Sequence, residues 1–409
     1  MPAAASATAH GRFDALDGIR GVAIALVVLS HGWTLFPIDH LRSAAPLDGL
    51  VHAGNLAVTI FLVVGGFLVT RSLLARSDSA RGLHPFRYYV ERFVRLSVQI
   101  YLLLVLIVVV NHFDSSDPFS ASTTRKSALA VGTYTWNWYL QNNALAARSD
   151  LGHLWYISVQ EQYYVALLVI IALFARHRRR LIWAVAATIV LVTIWRAHSW
   201  DVEGWWQSSL RTTTRMDGLL YGTFAALILE RVARFRHFAG QAVTGSLFAI
   251  GLLVISAARF DGSPYYKWQG VLIDLSVAVF VLGVYYVSND SGPAMRAMTW
   301  GPLVRLGGAS LTIYVWHFPL FWFIARHTHG WTWFARTVLG LALLSALVVL
   351  LHRFVDGPTR RWLKRRTEGR GRRRTAPATR PLPDGAANDD LPAAADPVDA
   401  LQDRAHPVI

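Results

Sequence analysis

The chain has 409 residues, 54% of them hydrophobic and only 16% charged, with 16 tryptophans. With a mean hydropathy of +0.35, that balance excludes an ordinary water-soluble enzyme and describes a polytopic membrane protein. The lack of cysteine excludes a disulfide frame, a thiolate metal site and a thiol nucleophile. The net charge of +15 sits on arginines in short loops and in the tail, a pattern that suits topology and anionic lipid head groups and argues against a nucleic-acid partner.

Residues 1–12 are Ala-rich and lack a basic leader. They read as a short arm before an apolar run that is retained and not cleaved. An all-α chain of about ten crossings follows, at roughly 17–37, 52–72, 94–112, 152–175, 181–199, 213–230, 241–258, 269–288, 303–325 and 335–355, each near the length a bilayer requires. Arginine is densest in alternate loops, at 71–92, 176–180, 231–236 and 360–374. This puts those loops and both termini on the cytoplasmic side of a cell membrane. Residues 84–95 read as an amphipathic helix leading into the third crossing, with Arg87, Glu91 and Arg95 spaced as a surface ion ladder. After about residue 367 the apolar period stops, and 367–409, rich in Ala, Pro, Asp and Arg, reads as a disordered cytoplasmic tail.

The polar residues inside these apolar runs carry the functional signal. Arg20 stands at the entrance of the first crossing and His31 within it. Eleven residues place them within roughly 20° of one helix face and about 16 Å apart. An imidazole at that depth has to face protein or a water-filled cavity. Asp14 and Asp17 flank the entrance, and Asp17 is positioned to pair with Arg20. The fourth crossing opens with His153, Ser158, Gln160, Glu161 and Gln162, and Glu161 needs a cation or a proton donor to sit in lipid. Asp217 opens the sixth crossing beside Arg215, and the ninth carries Tyr314, Trp316 and His317 near Pro319. No histidine spacing suggests a metal, and Gly65-Gly66 reads as a point of close helix approach. On the residues alone, a membrane-embedded transferase and a proton-coupled secondary transporter using His31 and Glu161 both fit.

Taken together, the motifs resemble those of the acyltransferase family 3 membrane proteins over about residues 12–365. Leu-Asp17-Gly-Ile-Arg20-Gly with His31 matches the opening motif. Phe61-Leu-Val-Val-Gly65-Gly-Phe67 matches the second, with Gly65 where the family has Ser. Arg92-Phe-Val-Arg95 matches its arginine pair. His153-Leu-Trp-Tyr-Ile-Ser158-Val-Gln160-Glu161-Gln-Tyr-Tyr164 matches the next stretch, with Gln160 in place of Glu. Tyr314-Val-Trp-His317 matches the Tyr-x-Trp-His stretch, and Phe354-Val-Asp356-Gly-Pro358 resembles the closing Val-Glu-x-Pro, with Asp for Glu.

The resemblance implies an O-acyltransferase, most simply O-acetyl, within residues 13–366. Acyl-coenzyme A, with acetyl-CoA the simplest case, would be co-substrate and no cofactor or metal would be resident. The acceptor would be a hydroxyl of a glycan, a glycolipid or a macrolide-like metabolite. Arg20, Arg92 and Arg95 would hold the donor's phosphates. His31 would act as general base or as transient acyl carrier. Glu161 or Asp217 would orient it, with Asp17, His153, Ser158, Tyr314 and His317 in support. Many relatives add an extracytoplasmic hydrolase-like domain; with only a short tail here, the membrane region is expected to complete the reaction alone.

Overall fold

The computed structural model describes residues 2–37, 45–77, 85–259, 264–287, 292–363 and 365. The segment 367–409, expected as a disordered tail, lies outside them. Residues Met1–Leu363 form one compact unit, helical throughout with no strand among the described residues. The long helices are α1 (Pro2–Ser30), α2 (Gly54–Ser77), α3 (Pro85–Phe113), α4 (Trp155–Phe174), α5 (Arg178–Leu210), α6 (Asp217–Val232), α7 (Ala239–Ile255) and α8 (Gly270–Tyr286). After the short α9 (Gly301–Gly308) come α10 (Ser310–His327) and α11 (Trp333–Leu351).

Eight helices among the described residues are long and apolar enough to cross a membrane, and nine if α9 and α10, bent by 70°, count as one span. The chain is therefore a multi-pass helical membrane protein. Length and hydropathy alone merge two of the ten expected crossings. The sixth and seventh expected crossings fall in one unbroken helical stretch of 39 residues, Asp217–Ile255. Within it, the 3-10 turn Ala233–Phe238 separates α6 from α7. Leu229 of α6 accepts a hydrogen bond from Tyr286 at the end of α8, and Ala239 of α7 lies against Gly283 of the same end. Ile255 instead packs on Gly49, so the chain doubles back at the turn and the two helices are separate elements.

Three further boundaries differ from the sequence reading. α1 begins at Pro2, so residues 2–12 continue the helix. Asp14 and Asp17 then lie well inside it and not at its dipole-bearing first turn. α1 also stops at Ser30, and a 3-10 turn follows at Gly32–Thr34. Pro319 sits inside α10, whereas the sharp bend falls at Ala309, between α9 and α10. In α5 the break is at Gly204, whose φ of 79° is a conformation that only glycine adopts readily.

The helices around the centre approach closely through glycine. A Cβ on Gly66 of α2 would run into the carbonyl of Leu219, and one on Gly222 of α6 into that of Val63. Where lipid supplies no hydrophobic drive between helices, such backbone-to-backbone contact supplies the packing. Gly222→Leu is therefore expected to destabilise the fold by about 1–3 kcal/mol, the usual penalty of overpacking. Thermal unfolding in detergent should show a lower midpoint, while the same change at Gly245, which has open space around it, should leave the midpoint in place.

Candidate active site

His31 occupies the junction where α1 gives way to the 3-10 turn, with φ −94° and ψ 0°. The Val27 carbonyl there already accepts the His31 backbone N–H at 3.2 Å and the Ser30 hydroxyl at 2.9 Å, and the His31 ring is its third neighbour. Its Nδ1 lies 2.8 Å from the carbonyl oxygen of Val27. A carbonyl only accepts, so Nδ1 carries the proton and Nε2 keeps its lone pair. Nε2 has no hydrogen bond among the described residues, and the residue is half-buried.

Two more histidines close around it. His317 lies fully buried on α10, its ring centroid 5.1 Å from that of His31, and His153, in the 3-10 turn before α4, lies 6.3 Å away. His317 Nδ1 faces the carbonyls of Ile313 and Tyr314 at 3.0 and 2.9 Å. By the same logic its Nε2 is an acceptor, and it stands 3.4 Å from His31 Nδ1. His153 Nε2 points at the Val315 carbonyl, 3.3 Å away, while its Nδ1 is buried with no partner. The three imidazoles form no metal site among the described residues. Phe318 completes the enclosure, 4.6 Å from the His31 ring.

One helix length away, Arg20, Arg92 and Arg95 line a single cavity of about 250 Å³, together with Gly65, Gln160, Tyr156, Ser310 and Tyr314. Arg20 is held by Asp17 and by the Ser310 hydroxyl, each at 2.8 Å. Arg92 stacks over the Tyr164 ring at 4.3 Å and its buried Nε has no partner. Arg95 is exposed. Tyr314 joins the cavity to the histidines. It lines the cavity, its hydroxyl bonds to the His153 carbonyl, and its ring packs 5.3 Å from that of His153. His31 itself does not line the cavity; Tyr156 and Tyr314, 5.2 Å apart, stand between.

The structure thus brings Arg20, Arg92 and Arg95 together at one place, and His31, His153, His317 and Tyr314 at another. It does not bring the two carboxylates to His31: among the described residues no hydrogen bond or ion pair joins Glu161 or Asp217 to it. Glu161 receives the Tyr89 hydroxyl at 3.3 Å and the Gln160 amide at 3.4 Å, and Arg92 is the cation that acts on it. Asp217 pairs with Arg196 of α5, both fully buried, and not with its chain neighbour Arg215. That guanidinium turns instead to the rings of Tyr265 and Trp155, at 4.9 and 5.0 Å. Ser158 is buried within α4. Asp356 ties α3 to α10, accepting from Gln99 at 2.7 Å and Thr312 at 3.0 Å.

Sequence reasoning did not find the meeting of three histidines, because each lies on a different element and none is spaced with another. It also missed the buried group of Arg148 with Asp117 and Asp150, at 3.0 and 2.6 Å. There the partners flank a loop and carry no periodic pattern.

The site is thus an arginine-lined cavity in a polytopic helical bundle, with a cluster of three imidazoles beside it. A family model described as an acyltransferase domain, acyltransferase family 3, matches residues 13–353, and the chain belongs to that family. That membership selects the transferase expectation over the transporter. The peptidoglycan O-acetyltransferase OatA of Listeria monocytogenes is 24% identical over 85% of this chain and 55% of its own length. The putative peptidoglycan O-acetyltransferase YrhL of Bacillus subtilis is 26% identical over 86% and 56%. The O-acetyltransferase OatA of Staphylococcus aureus is 25% identical over 85% and 57%. The chain spans a little over half the length of these relatives. No solved structure matches it.

Asp217 is the residue whose place invites a direct check. Asp217→Asn removes the carboxylate bonded to Arg196 while Asp274, fully buried beside the pair, still acts on that charge, so the loss should stay below the roughly 3–5 kcal/mol of an uncompensated buried ion, to be read as a lower unfolding midpoint in detergent. Arg196→Met combined with Asp217→Leu removes both charges and should recover most of it. A double variant that folds like the parent but has lost all activity would give Asp217 a part in the chemistry.

Proposed function

We propose that the chain is an integral-membrane O-acetyltransferase that takes its acyl group from acyl-coenzyme A and passes it to a glycan hydroxyl, with His31 as general base. The observation that carries this reading is the His31 tautomer. Its Nδ1–H is spent on the Val27 carbonyl, so the free lone pair on Nε2 can take a proton. The named relatives act on peptidoglycan or carry out O-acetyl transfer, which favours a glycan over a small secreted metabolite.

The donor fits the cavity by charge and by size. Coenzyme A carries phosphates, and guanidinium forks bind phosphate bidentately. A cavity of about 250 Å³ holds the pantetheine end and not the whole nucleotide, so the phosphates stay at the arginines while the thioester is directed at Tyr156 and Tyr314. Past that pair lie the histidines. The acceptor hydroxyl gives its proton to His31 Nε2 as its oxygen attacks the thioester carbonyl. The carbon–sulfur bond then breaks, and the thiolate leaves and recovers the proton as coenzyme A thiol. While His31 is doubly protonated, its Nδ1–H keeps Val27 and gains the lone pair of His317 Nε2, 3.4 Å away. That acceptor does the work assigned to a carboxylate in a hydrolytic triad. Glu161 then serves the donor side, anchoring Tyr89 beside Arg92. With the Arg20 end of α1 at the cytoplasmic face and both termini inside, the donor enters from the cytoplasm.

In acetyl-CoA turnover by purified protein, His31→Ala should lower kcat by at least about a hundredfold, the scale of a lost general base, with an unchanged unfolding midpoint. Near-parental turnover would remove His31 from the chemistry. Arg92→Ala should raise the donor KM severalfold with kcat less affected, and an unaltered KM would show that the cavity does not hold the donor.

A further inference from the structure

On the side of His31 away from the arginines, the chain leaves an aromatic surface that the donor does not use. Trp33 follows His31 by two residues and is 48% exposed. Its ring lies 6.2 Å from Phe318 and 5.8 Å from Trp322, nearly perpendicular to the latter. Phe318 and Trp322 are 6.2 Å apart, and Phe318 is also the ring that touches His31 at 4.6 Å. The three rings therefore form one continuous face that ends on the catalytic imidazole.

Two polar groups at this face lack partners. The Trp322 indole nitrogen is buried and donates to no group among the described residues. Arg336 gives one nitrogen to the Thr34 carbonyl at 3.2 Å, but its buried Nε has no partner. No carboxylate pairs with Arg336 among the described residues. A buried donor left unsatisfied carries a penalty of about 1–3 kcal/mol, which a ligand bearing acceptor oxygens would relieve. Lipid tails offer no such oxygens.

We propose that Trp33, Phe318 and Trp322 form the acceptor subsite, and that its ligand is a pyranose ring. A sugar ring presents a face of C–H groups that packs on an indole and a rim of hydroxyls that accept from N–H donors. Trp is suited to that combination because one end of it is apolar and the other polar. The inference rests on the acyl-transfer reading and places its second substrate: the ring lies on Trp33, and one hydroxyl reaches His31. The competing explanation is an interfacial belt, to which exposed Trp331 and Trp333 at the start of α11 would contribute equally. Trp333 packs on Phe334 at 6.1 Å and has no ring contact with the His31 group.

The experiment is equilibrium binding of the disaccharide of N-acetylglucosamine and N-acetylmuramic acid to the full chain in lipid nanodiscs. Trp33→Ala should weaken binding by about tenfold, the upper range of one aromatic contact, while Trp33→Phe keeps most of it. Trp333→Ala should bind as the parent does. Equal affinity of Trp33→Ala and parent overturns the subsite, as does an equal loss in Trp333→Ala or no binding by the parent. Acetyl-CoA consumption by the parent and by His31→Ala is measured alongside. His31-dependent consumption without a Trp33 effect refutes the subsite alone. Trp33-dependent sugar binding without consumption refutes the donor reading alone.

Discussion

The hydrogen bond from His31 to the Val27 carbonyl fixes what the rest of the structure can do. A helix that ends inside an apolar slab exposes carbonyls that lipid cannot satisfy. α1 ends at Ser30, where the Val27 carbonyl meets the His31 backbone N–H, the Ser30 hydroxyl and the His31 ring together. The ring's contact with that carbonyl sets one tautomer and makes the two ring nitrogens unlike. The helix C-terminus also places partial negative charge beside the ring.

α10 is the second wall of this arrangement, and it runs alongside α1 in the same direction. Ser310 meets Arg20, His317 meets His31 and Trp322 meets Trp33. Three positions of α10, in order, therefore partner three positions of the α1 region in order. The donor cavity, the imidazoles and the aromatic face succeed one another along a single helix pair.

What the sequence made legible was local or periodic. The spacing of Arg20 and His31 put them on one face, and the Asp17–Arg20 pair forms as its three-residue separation requires. Arg92 and Arg95, also three apart, open into one cavity. Gly66 makes the close contact expected of it. What escaped depended on which helices meet. Asp217 had a cation two residues away in Arg215, but aromatic rings from α4 and the start of the eighth crossing draw that guanidinium off, and Arg196 arrives from α5. His153 and His317 converge for the same kind of reason. At Ala233–Phe238 a 3-10 segment carries the chain through a reversal, which divides the stretch Asp217–Ile255 into the two crossings expected there.

The arginines set among the helices differ in what holds them, carboxylates for some and aromatic rings for Arg92 and the fully buried Arg215. Arg148 and Arg196 are held by carboxylates, so their charge is neutralised and their donors are largely spent. Arg92 is held by the face of Tyr164. A ring fixes the plane of a guanidinium without occupying its in-plane N–H groups, so Arg92 is oriented but unspent. Gly65 makes this possible, because the Tyr164 hydroxyl lies 2.5 Å from where a Cβ at that position would stand. A serine there, as the family motif carries, would have to displace that phenol.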